Sequence, residues 1–188
     1  MTQIAVKESR LSHFLTEDTR SSLGWLPVRV YVGWEWLHAG WEKVVDLDWV
    51  GRGAGAPIVG FVQGALAQTG GPHPDVTWWY AAFLERFVQT HPAFWANLIT
   101  YGELLVGIGL IAGCMTGIVA FFGLFMNLNY LLGGTVSINP ILFTLSIGLL
   151  LAWRVAGYWG ADRFALPFLR EQRRSKAATA RSTRDRGG

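Results

Sequence analysis

Residues 94–112 read FWANLITYGELLVGIGLIA, an apolar and small-residue run in which Glu103 is the only charged side chain. At ~1.5 Å per helical residue the run reaches about 28 Å, close to the ~30 Å hydrocarbon core of a bilayer. A charge at that depth costs about 3 kcal/mol or more unless it faces protein or water, so Glu103 marks a candidate site.

Three further runs resemble the first in length: about Leu23 to Trp41, Met115 to Leu132 and Pro140 to Trp159. Each carries polar groups at depth: Arg29, Glu35 and His38 in one, Asn127 and Asn129 in another, Arg154 in the last. The expected fold is an all-α membrane protein, a four-transmembrane-helix bundle in the cell membrane. Gly113, Cys114, Met115 and Thr116 leave little linker between two of the runs, which predicts a tight helical hairpin. Asn139 before Pro140 reads as an N-cap.

Of 188 residues, 51% are hydrophobic, 15% are charged and ten are Trp, a composition that suits a chain with amphipathic rings at lipid headgroups. Basic residues near the runs set the orientation. The end from 161 to 188 carries Arg163, Arg170, Arg173, Arg174, Lys176, Arg181, Arg184 and Arg186 against Asp162, Glu171 and Asp185, so it is expected in the cytoplasm. Four crossings place residues 1–22 there too. The segment 42–93, with acids outnumbering Lys43, Arg52 and Arg86, then lies outside within a membrane domain spanning 23–160. The net charge of +3 is a topology signal at the lipid surface and requires no nucleic-acid partner.

The outer segment is itself patterned. Apolar residues at helical spacing over Ala56–Leu66 and Val76–Val88 predict two short helices, separated by Gly70, Gly71, Pro72, His73 and Pro74. They would form either a lid over a site or a cap facing a partner. His73 and His91 read as ordinary exposed histidines.

Arg29-Val-Tyr-Val-Gly33 continuing to Gly40-Trp-Glu-Lys43, Gly102-Glu103-Leu-Leu-Val-Gly107 with Gly109, and Gly157-Tyr-Trp-Gly-Ala-Asp162-Arg163 together resemble the DoxX family of small four-span membrane proteins. The long segment after the first run is similar to the DoxD branch, the membrane subunit of thiosulfate:quinone oxidoreductase. The resemblance covers about Leu23 to Pro167. It implies a subunit of a membrane complex that takes electrons from a reduced sulfur compound to quinone, alongside other protein subunits.

Helical rise places Glu35, His38, Glu103, Asn127 and Asn129 in one layer of the middle to outer half. Glu103, Glu35 and His38 are the candidate catalytic residues, because quinone reduction consumes two protons and a buried carboxyl beside an imidazole can supply them. Asn127 and Asn129 are candidate quinone-binding amides. Arg29, Arg154 and Asp162 form an inner layer, a structural clamp or an anion site.

Arg29, Gly33, Trp36 and Gly40 share a helix stripe, and Gly109, Gly113 and Gly117 repeat every four residues, as close helix packing in lipid requires. No strand precedes these glycines, so no nucleotide loop is expected. Cys114 is the only cysteine, and no intrinsic metal or haem is expected. The alternative to a catalytic subunit is a non-catalytic anchor of a larger redox complex. A small transporter is a third reading that lacks an inverted repeat to support it.

Overall fold

The computed structural model describes residues 9–164, whose regular elements are all helices, with no strand among them. A short helix α1 (Arg10–Glu17), capped by the Ser9 hydroxyl, leads through a 3-10 turn into the long α2 (Ser22–Val45). Two short helices follow, α3 (Ala56–Ala67) and α4 (Trp78–Phe83), the latter widening into a π-helical turn at Leu84–Val88. Then come α5 (Pro92–Ala112), α6 (Thr116–Leu132), α7 (Asn139–Leu151) and the single-turn α8 (Trp153–Ala156). The basic segment from Arg170 onward lies outside the described residues.

Helices α2 and α5 form the tightest pair because glycines remove the side chains between them. A Cβ on Gly107 would lie 2.5 Å from the backbone nitrogen of Leu37, and one on Gly40 would lie 2.8 Å from that of Leu104. Such approaches leave no room for even a methyl group. Each bundle helix turns a four-three stripe inward: Arg29, Gly33, Trp36 and Gly40 on α2, Thr100, Glu103, Gly107 and Leu110 on α5, and Thr116, Ala120, Gly123 and Asn127 on α6.

The expected hairpin between α5 and α6 is present. Gly113 adopts a left-handed conformation (φ 62°), and the Cys114 N–H donates back to the Gly109 carbonyl, which ends α5 in a Schellman turn. Gly113 also carries no Cβ because the Arg29 guanidinium occupies that space.

Two expectations need correction. The fourth apolar run is not one helix: α7 stops at Leu151, Ala152 leaves helical geometry, and α8 resumes for one turn. The break lets the Trp153 ring lie over Gly117 of α6, where a Cβ would meet it at 3.1 Å. Asn139 is the first helical residue rather than its cap, and its amide donates to the Thr135 carbonyl instead.

The segment between α2 and α5 folds as anticipated into two short helices with a core of their own. Ile58, Val62, Val76, Tyr80, Leu84 and Ala96 are buried together there, with Trp95 and Phe61 at their margin. A second core inside the bundle gathers Val32, Trp36, Val106, Leu110 and Leu149.

Helix α5 is long and apolar enough to cross a membrane, and only 33% of its apolar window is buried. The surface it shares with its neighbours is strongly apolar. Leu98, Leu105 and Ile108 of α5, Ile118, Phe121, Phe122 and Phe125 of α6, and Ile141 and Leu151 of α7 all stand exposed. Helices α3, α6 and α7 are shorter apolar helices.

Candidate functional site: a buried ion pair between α2, α5 and α6

Glu103 is 1% exposed and lies in the middle of α5, facing both α2 and α6. Its Oε2 pairs with Lys43 Nζ at 2.7 Å, and its Oε1 accepts a hydrogen bond of 2.6 Å from the Tyr130 hydroxyl. A carboxylate buried in this way is tolerated only because each oxygen meets a strong donor. Lys43 is held in turn by the Ala39 carbonyl and by the face of Trp49, 5.0 Å from its ring centre. With 18% of its side chain exposed, Lys43 is the group through which the cluster reaches the surface.

Lys43 and Tyr130 were not among the expected site residues, yet both continue patterns visible in the chain. Lys43 follows Gly40 by three residues on the α2 stripe, and Tyr130 follows Asn127 by three on the α6 stripe. Tyr130 is walled by Trp36 at 6.4 Å and by Phe61 of α3 at 6.4 Å, ring centre to ring centre. The α3 helix therefore sits directly over the cluster.

The expected layer assembles only in part. Asn127 is fully buried one turn along α6 from Tyr130, and neither atom of its amide finds a partner among the described residues. Asn129 points elsewhere: its Nδ2 donates to the Phe125 carbonyl, and its Oδ1 accepts from Tyr80 at 3.2 Å. Burial pushes the Tyr80 phenol up to about 12, so it stays protonated and donates, fastening α4 to α6.

Glu35 and His38 do not join Glu103. His38 is exposed, stacks on Trp34 and lies 3.5 Å from Glu42, and Glu35 is half-buried. The reason is angular. At 100° per residue, positions 35 and 38 point about 100° and 200° away from the Trp36 direction, whereas Lys43 returns to within about 20° of it. His38 pairs instead with Glu42, one turn along the same helix.

The inner layer divides as well. Asp162 is buried and caps α6, its Oδ1 accepting from the Met115 N–H at 2.6 Å and its Oδ2 from the Thr116 N–H at 2.8 Å. A carboxylate at a helix N-terminus satisfies orphan donors and opposes the helix dipole. Arg29 is 1% exposed, donates to the Trp159 carbonyl at 3.2 Å and packs on Gly113 and Gly160. This is a clamp joining the start of α2, the α5–α6 turn and the segment after α8. Arg154 takes no part in it: it is exposed, lies over Trp153 and sits 3.9 Å from Glu17.

Among the described residues no group of three or more His, Cys, Asp or Glu side chains is placed to hold a metal ion. His73, His91 and Cys114 are exposed and separate from the cluster. No family model, curated protein or solved structure matches this chain.

Proposed function

We propose that the chain is a multi-pass cell-membrane subunit of a DoxX/DoxD-like redox complex that passes electrons from a reduced sulfur compound, such as thiosulfate, to quinone. The observation that carries this reading is the Lys43–Glu103–Tyr130 cluster, a buried carboxyl with two proton-bearing partners inside an apolar-surfaced bundle.

The apolar surface supports the membrane part. A soluble core helix hides its apolar window, whereas α5 leaves two thirds of its own uncovered beside the exposed rings of α6, and lipid is the natural solvent for such a face. In this reading α2, α5, α6 and the α7–α8 pair make the four crossings. The α3–α4 segment lies outside, and both termini lie in the cytoplasm.

Quinone reduction consumes two electrons and two protons. The electrons come from a partner subunit or from bound substrate, and Glu103 delivers protons that Lys43 relays from the surface. Tyr130 orients the carboxyl, and the Asn127 amide adds polar capacity one turn away.

The test is thiosulfate-dependent reduction of a short-chain ubiquinone analogue by the complex purified with this subunit. Glu103→Gln keeps the shape of the side chain and removes its proton chemistry. Lost turnover with intact assembly supports a catalytic subunit, and unchanged turnover selects the anchor reading.

A further inference from the structure

The bundle interior holds a second polar group that the ion pair does not use. Trp36 Nε1, both amide atoms of Asn127 and the Ser146 hydroxyl are buried and find no hydrogen-bond partner among the described residues. Three helices contribute these groups, and they share a level. A Cβ on Gly123 would lie 3.2 Å from Trp36 Nε1, which puts that indole N–H one turn of α6 from Asn127. Asn127 and Ser146 lie five and seven residues from the α6–α7 turn, or ~8 and ~10 Å along neighbouring helices. Trp36 also stacks against Tyr130, whose hydroxyl binds Glu103.

Leaving such a group unpartnered in a protein interior carries the full desolvation penalty of that group. Several unpartnered groups at one level, offering N–H, O–H and C=O together, match the two to four hydrogen bonds of an internal water. We infer that Trp36, Asn127 and Ser146 form a water-binding pocket beside Glu103 that is closed toward the α5–α6 turn, so that Glu103 exchanges protons only with the α3–α4 side.

The closure comes from packing. One layer further toward the α5–α6 turn, Val32, Leu110, Ala120 and Leu149 are each 0–1% exposed. The next polar groups beyond them are Arg29 and Thr116. Four apolar side chains thus separate the two polar levels, and a dry layer carries no proton. On the open side Glu103 exchanges its proton with Lys43, 2.7 Å away, and Lys43 takes the replacement from bulk water.

This inference rests on the proposed role of Glu103, but its test does not depend on turnover. A structure of the full chain in lipid, at a resolution that shows ordered water, is compared with that of Asn127→Leu. The expected result is water density within hydrogen-bond distance of Trp36 Nε1 and the Asn127 amide, absent in the variant, with none between Leu110 and Arg29. If Asn127→Leu does not fold, Ser146→Ala serves in its place. A dry pocket overturns the inference, as does density for a larger molecule or a water file running past Leu110 to Arg29. Retained turnover in Glu103→Gln would select the anchor reading over a catalytic one and leave this map as it is.

Discussion

Lys43 Nζ and Glu103 Oε2 stand 2.7 Å apart, joining two helices whose sequence positions differ by 60 residues. Removing one partner strands the other charge in the bundle, a loss of about 3–5 kcal/mol for a buried pair. Lys43→Met and Glu103→Leu are each expected to lower the melting temperature in detergent strongly. The double variant should recover much of that loss, because no lone charge remains. A double variant that melts at the sum of the two single losses would mean the groups act independently.

Tyr130→Phe keeps the ring between Trp36 and Phe61 and removes one donor to the carboxylate. Hydrogen bonds to charged groups contribute about 1.5–3 kcal/mol, so stability should fall within that range. Under the proposed function activity should fall further than stability does, since Tyr130 orients the Glu103 carboxyl. Paired measurements of melting and turnover separate the two effects.

Gly107 and Gly64 make opposite predictions for the same change. An added methyl at Gly107 meets the Leu37 backbone at 2.5–2.6 Å, whereas one at Gly64 of α3 meets nothing within 4 Å. Gly107→Ala should force α2 from α5 and destabilise by several kcal/mol, in the range of an overpacked core or beyond it. Gly64→Ala should stabilise by ~0.5–1 kcal/mol through helix propensity and a stiffer unfolded chain. Denaturation in mixed micelles reads both.

The helices and their inward stripes were legible because apolar residues recur at three-four spacing, and the α5–α6 hairpin because Gly113 can take the left-handed turn. The site was legible at Glu103 and Asn127, which lie on those stripes. Depth alone does not choose a partner, and so Glu35 and His38 were grouped with Glu103 although their helix angle turns them away. Extending the α2 stripe one step past Gly40 reaches Lys43, and extending the α6 stripe past Asn127 reaches Tyr130. The break at Ala152 has no proline to announce it, and the packing it permits, Trp153 on Gly117, joins segments distant in sequence.

Tyr80 gives the α3–α4 segment a pH dependence. Burial raises its pKa from the ordinary phenol value of about 10 to about 12, so the folded form retains a proton that the unfolded form loses between those values. The stability it contributes is complete below pH ~10 and declines as the pH climbs toward ~12. The melting difference between the native protein and Tyr80→Phe should therefore narrow over that interval. A difference that stays constant would show that Tyr80 is not held neutral by burial.

Under the proposed function Glu103 changes its protonation or hydrogen bonding when quinone is reduced. Difference infrared spectroscopy of the lipid-reconstituted complex, recorded as thiosulfate reduces a ubiquinone analogue, reads that event directly. A carboxyl-stretch signal present in the native protein and missing in Glu103→Gln is the predicted result. Identical spectra from the two proteins, with turnover maintained, would contradict the account.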